Sequence, residues 1–595
     1  MSLSLADVII IAAYLVFSAV VGLALRKRAS GSMEDFFLGG RNLPWYLAGI
    51  SMVATTFAAD TPLLVSGLVA KNGISGNWIW WNMLIGGMLT VFFFAHLWRR
   101  SGVLTELEFI EFRYSGKSAA FLRGFKAVYL GVFLNVLVIG WVNYAMLKIL
   151  GVFFGMSGTE AYWTVGGLML LVAVYSSLSG LLGVAVTDAV QFLLAMGGCI
   201  VLAFLLLDLP EVGGIAGLRE KLDMNDFKFV PRIGADGNDL TTGTLAISAG
   251  AFLTHSLVQW WASWYPGAEP GGGGYVAQRM MSTRTEQDAR KATMLFQVLH
   301  YAVRPWPWII VGLCAMVLYP DLPQDRLEEG FVLAMRDYLP NGLKGLLVAA
   351  FLAAYMSTIS TQLNWGASFL SNDLYARFIE RSPDRTKEVL VGRIATVLIM
   401  LVAFITTAFI ESIESTFLFL IECGAGIGLV LILRWYWWRV SAISELVATI
   451  APFVGYSLAH FALELQFPES FLFTTGFTTV AWLGATFASR PTDPEVLERF
   501  YRKVRPAGWW GQLASTSPQG AIDSVWALTA SWLLATTMTY SILFSVGKCL
   551  LQEYTLGAIW AFVALISMLG LRATMSRGYS LSNDDSRRNE GDGRN

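Results

Sequence analysis

Apolar stretches of about 20 residues, the length a helix needs to cross hydrocarbon, recur along nearly the whole of this 595-residue chain. No water reaches the bilayer core, so each stretch must satisfy its backbone polar groups internally, as a helix. Charged residues make up 14% of the chain, against roughly 25% in soluble domains. The pattern predicts one all-α membrane protein, in which length counts helices instead of globular domains.

Hydropathy predicts about fifteen transmembrane helices. They fall near residues 6–25, 45–68, 77–98, 120–150, 161–183, 186–207, 241–265, 292–318, 342–370, 389–410, 416–434, 441–463, 470–489, 522–546 and 554–573. The first run, Val8 to Leu25, has no basic residue before it and Arg26, Lys27 and Arg28 after it. That is the reverse of a cleavable signal, so it is expected to remain as a span. An odd number of spans puts the termini on opposite sides. Most Lys and Arg residues, including Arg99, Arg100, the Arg377 to Lys387 loop and Arg499 to Arg505, then share a side with the C-terminus. The positive-inside rule predicts a multi-pass cell-membrane protein with its N-terminus outside and its C-terminus cytoplasmic.

A net charge of −1 and the lack of a basic arm exclude nucleic acid as a partner. Cys199, Cys314, Cys423 and Cys549 lie in apolar runs without pairing or ligand spacing and read as buried thiols. His96, His255 and His460 are scattered, so no zinc or haem site and no organic cofactor is expected. The segment from Arg490 to Gly520 reads as an inside connector along the interface, and the polar tail after Arg577 as disordered.

Within the second span, Ala54-Thr55-Thr56-Phe57-Ala58-Ala59-Asp60-Thr61-Pro62 brings an acid, three threonines and a proline to mid-membrane. Pro62 has no amide hydrogen and crowds the carbonyl of Ala58, releasing carbonyl oxygens from the helix ladder. Free carbonyls at that depth face a cavity or a cation; the alternative is a kink of purely structural meaning. In the ninth span Ser357, Thr361, Asn364, Ser368 and Ser371 share a face. Such hydroxyls serve as interhelix glue or as ligands of a dehydrated hard cation, which wants about five or six oxygens. The sixth span opens with Thr187-Asp188, an intramembrane acid or, alternatively, a helix cap.

Together these residues resemble the sodium:solute symporter family. The motifs that carry the resemblance are Asp35 to Pro44, Tyr175 to Gly180 leading to Thr187-Asp188 and Gln191, Gln278-Arg279, Ala354 to Thr358, and Asp373-Leu374-Tyr375. The resemblance implies a LeuT-type core of two inverted five-helix repeats, each opening with a broken helix, with solute and ions near the midplane. It divides the chain into an N-terminal extra helix and loop (1–44), a first repeat (45–208), an extracellular loop (209–240), a second repeat (241–411), added C-terminal helices (412–575) and a tail (576–595). The second break is expected at Pro266-Gly267-Ala268-Glu269-Pro270 and the following glycines.

Carried over by position, the family's shared sodium site implies the carbonyls of Ala54, Phe57 and Ala354 and the hydroxyls of Ser357 and Thr358. A second sodium site, present in some members, implies Asp188, Ser357, Ser360 and Thr361. One or two sodium ions are thus the expected coupling ions. Candidate solute contacts are Asp60, Thr61, Trp80, Trp264, Tyr265, His300, Arg304 and Glu422. Where sugar porters place polar partners, this chain has Trp78, Trp80, Trp81 and Met83, which argues against ordinary sugar coordination. Arg304 fits a carboxylated or anionic solute by bidentate pairing; equally, it can neutralise Asp60 or Glu422. The expected function is sodium-driven import of a small organic solute by alternating access. A proton-coupled carrier of the same fold and a transporter-like receptor are the alternatives. No nucleophile, base and orienting group assemble at a spacing that suggests an enzyme.

Overall fold

A computed structural model describes residues 4–29, 33–234, 246–380, 385–511, 513–514 and 524–591. Among them ten helices are long and apolar enough to cross a membrane, and two further pairs of shorter helices pass when each bent pair counts as one span. By length and composition the described residues thus hold ten to twelve of the about fifteen expected spans. The difference lies in three places. The first helix runs over Leu5–Ala29, and Leu5–Phe17 is its apolar stretch among the described residues. The helical segment Gly158–Leu207 carries the fifth and sixth expected spans, and Leu181–Leu207 passes by length and composition among the described residues. The seventh is cut into short pieces, Ala249–Leu253, Thr254–Gln259 and Trp260–Ala262, and its expected start near Thr241 lies outside the described residues.

The first interrupted helix comprises Trp45–Thr55 and Asp60–Asn72, bent by 60°. The proline argument explains the break: Pro62 sits in the first turn of the second half, where no amide hydrogen is needed, and Ala58 falls in the gap. The second break spans residues 263–273, between Trp260–Ala262 and Gly274–Ser282. Gly271 has φ of 80°, and a Cβ there would meet the Leu431 carbonyl oxygen at 2.8 Å. Only glycine fits that backbone. A third bend, of 50°, separates Ile413–Cys423 from Ile427–Tyr436 at Gly424-Ala425-Gly426, a feature the hydropathy profile does not reveal. The Gly426 amide donates to the Ala262 carbonyl at 2.9 Å, so this bend is built against the end of the second interrupted helix.

The hydroxyl-rich helix Leu343–Ser368 is buried along almost its entire length. Its N-terminal amides at Gly342 and Gly345 donate to Asp7 Oδ1 at 2.7 and 2.6 Å, which ties the first helix to it. At the opposite face, Glu445 is enclosed by Lys126, Arg434 (3.0 Å) and Tyr114 (2.8 Å). The segments between spans are folded: Gly214–Lys221 and Gly330–Tyr338 are helices. In the connector, Pro494–Val504 buries Leu497, Phe500, Tyr501 and Val504 and exposes its charged face. The last helix runs from Tyr554 to Gly591, through most of the segment expected to be disordered, and residues 592–595 lie outside the described residues. Cys199, Cys314 and Cys423 are buried free thiols as expected, whereas Cys549 is exposed. It stands two residues before the turn that joins the last two helices.

Candidate functional site

The hydroxyl-rich helix lies directly against the first break. Thr358 Oγ1 donates to the Thr55 carbonyl at 3.2 Å, across 303 residues of sequence. The neighbouring Ser357 donates its hydroxyl to Asp188 Oδ1, and Ser51, one turn before Thr55, donates to Asp188 Oδ2 at 2.7 Å. Ser357, Thr358, Ser360, Thr361 and Asp188 are all buried. Thr187 Oγ1 bonds back to the carbonyls of Gly183 (3.1 Å) and Val184 (2.9 Å), the habit of a helix interior. The capping alternative for Thr187-Asp188 is thereby overturned.

Arg279, quoted for its motif alone, is part of this cluster. Its Nε reaches Ser51 Oγ at 3.4 Å and its Nη2 reaches Thr361 Oγ1 at 3.4 Å and Thr55 Oγ1 at 3.5 Å. Its signal in the sequence is a cation that must be buried with oxygen partners. Ser51 and Thr55, four apart on the first half-helix, supply them from one face.

Beside the break is a cavity of about 70 Å³. Of the eight solute candidates, Asp60, Thr61, Trp80, Tyr265, His300 and Arg304 line it. Trp264 and Glu422 do not. Trp264 is packed against the Gly424 bend, and Glu422 turns to His460, with Nε2 at 3.1 Å. Phe417, Trp141 and Gln362 take places in the wall that hydropathy gave no reason to single out.

Arg304 is bound into the first break. Its Nη1 donates to the Val53 carbonyl at 3.2 Å and to Thr56 Oγ1 at 2.9 Å, and its Nη2 contacts His300 Nε2 at 3.3 Å. A guanidinium can only donate, so His300 Nε2 accepts. The ring hydrogen then sits on Nδ1 and goes to Thr56 Oγ1 at 3.0 Å. Thr56 in turn donates to the Val53 carbonyl at 2.8 Å. The guanidinium also lies 5.3 Å from the centre of the Trp308 ring. Among the described residues no carboxylate forms an ion pair with Arg304, so neither Asp60 nor Glu422 neutralises it by contact. No group of three or more His, Cys, Asp or Glu side chains suited to a metal ion occurs among the described residues.

Two interrupted helices, a hydroxyl-rich helix docked on the first interruption, and a buried cavity beside it are the features of a membrane carrier. The match to the sodium:solute symporter family over residues 36–451 is decisive, and the chain belongs to that family. It is 26% identical over 525 residues to a sodium/glucose cotransporter of Vibrio parahaemolyticus, covering 83% of this chain and 92% of that protein. It is likewise 26% identical over 398 residues to a sodium/sialic acid symporter of Proteus mirabilis, covering 64% of this chain and 74% of the relative. The structure of a sodium-coupled sialic acid symporter in a substrate-bound, outward-open state superposes with a TM-score of 0.64 and 20% identity, over 82% of this chain and 99% of that one. The protein is a sodium-coupled solute symporter of LeuT-type fold and not an enzyme.

Proposed function

We propose that sodium binds where the Ala54, Phe57 and Ala354 carbonyls converge with the Ser357 and Thr358 hydroxyls, and that the ion closes the first break onto the hydroxyl-rich helix. The observation that carries this reading is the 3.2 Å approach of Thr358 to the Thr55 carbonyl. It brings the two ligand-bearing segments together, and five neutral oxygens match what a dehydrated hard cation needs. A second sodium ion would use Asp188, Ser357, Ser360 and Thr361. The Ser357 oxygen would serve both ions while its hydrogen stays on Asp188.

The solute site is the cavity beside Arg304. Because Arg304 and His300 hold Thr56 and Val53, a solute engaging Arg304 acts on the same break that sodium closes. Binding of either then favours the arrangement that binds the other, the energetic basis of coupled transport. The face with Gly214–Lys221 and Gly330–Tyr338 is outside, and the face with Arg99, Arg100 and Arg377 is cytoplasmic, so sodium enters down an electrical force of about 2.3 kcal/mol per charge per 100 mV. Sodium titration of the purified chain tests the site: sodium should stabilise the wild type against heat, and Ser357→Ala and Thr358→Ala should each abolish that shift. An unchanged sodium shift in both variants rejects the assignment.

A further inference from the structure

The cavity contains two opposite charges that do not meet. Asp60 opens the second half of the interrupted helix and is 8% exposed. The Thr61 amide donates to the Ala58 carbonyl instead of to this carboxylate, and Asp60 Oδ1 is buried with no hydrogen-bond partner. Arg304 is 2% exposed. Of its five N–H bonds three have acceptors, and Nε has none. Both residues line the cavity, and no ion pair joins them. A buried charge lacking its complement is costly, by several kcal/mol in proteins generally.

We infer that the transported solute is a small zwitterion, its carboxylate directed to Arg304 and its ammonium to Asp60; this rests on the reading of the cavity as the solute site. A lone anion would satisfy Arg304 but bring a second negative charge beside Asp60. A lone cation would satisfy Asp60 and face Arg304. A neutral sugar would leave both charges uncompensated. Only a molecule carrying both signs completes both ends. Size agrees: at roughly 10–15 Å³ per water-sized group, 70 Å³ holds about five to seven such groups, the scale of a short amino acid. The aromatic walls, Trp80, Trp141, Tyr265 and Phe417, offer faces to an alkyl or ammonium group between the charged ends.

Sodium-dependent currents in proteoliposomes of the full chain test this with glycine, alanine, β-alanine, proline and glycine betaine set against propionate, propylamine and glucose. At least one zwitterion should give a saturable current, with half-saturation about tenfold or more below that of every analogue lacking one charge. Asp60→Asn should narrow the preference of zwitterion over propionate by about tenfold or more. Propionate, propylamine or glucose matching the best zwitterion overturns the assignment. So does silence of the whole zwitterion series in a preparation that sodium still stabilises against heat. Loss of that sodium stabilisation in the wild type counts instead against the sodium site, so the two failures are distinguishable.

Discussion

Ser51 and Asp188, 137 residues apart, are joined by a hydrogen bond of 2.7 Å that links the first half of the interrupted helix to the helix carrying the acid. The other carboxylate oxygen takes the Ser357 hydrogen, so one side chain braces two helices that both supply proposed ion ligands. Asp188→Asn keeps the size but removes the charge and offers an amide hydrogen to one of the two serines. We expect at least about a tenfold higher sodium concentration for half-maximal uptake. Initial uptake rates against sodium, at matched protein level, check this, and an unaltered sodium dependence would contradict the proposed second ion.

Among the described residues Glu445 is the one acid that forms ion pairs with two buried cations, Lys126 and Arg434, whose side chains are 4% and 1% exposed. Glu445→Gln should destabilise the protein by about 3–5 kcal/mol, because it strands both charges. Thermal unfolding in detergent measures it; a loss below about 1 kcal/mol would mean that the cations find other partners.

Gly428 packs its α-carbon against the Trp261 carbonyl, beside the second break; a Cβ there would lie 1.9 Å from that oxygen. Gly428→Ala must push the helices apart and should cost about 1–3 kcal/mol. The same thermal measurement, paired with solute uptake, should show uptake falling together with stability.

Glu328 lies in the folded segment between spans, against Gly67 of the interrupted helix. Burial raises its carboxyl to about 7; Glu414 and Asp60 push the same way, while Lys148 and the Glu414 amide oppose. An acid whose pKa is higher in the packed state binds a proton there. Packing of the segment is therefore fully supported below about 4.5 and weakens as pH rises through about 7. Hydrogen exchange of residues 319–338, corrected for intrinsic rates, should accelerate between pH 5 and pH 8 in the wild type. In Glu328→Gln that added dependence should vanish.

The first break was legible because proline has a fixed consequence: it removes one donor and displaces one carbonyl, at Pro62 and Ala58. The hydroxyl face of the ninth span was legible through helical periodicity, and its docking partner through family resemblance. Periodicity does not say which way a side chain turns once its helix bends. Glu422 was expected in the cavity, but the bend at Gly424 belongs to packing against Trp264, and the acid turns to His460 instead. Ser51 escaped notice, and Arg279 stood only as part of a motif, for a related reason. Each is ordinary on its own helix and gains meaning only from Asp188, which arrives from elsewhere in the chain.

The capping of Gly342 and Gly345 by Asp7 has a practical use. A Cβ on Gly345 would approach the Asp7 α-carbon to 2.3 Å, so the start of the first helix is seated on the hydroxyl-rich helix with no space between. Leu5, 76% exposed, stands on that seat. A fluorophore attached there rides with the sodium-binding helix, and its distance to a second dye on Cys549 can follow the transport cycle one molecule at a time.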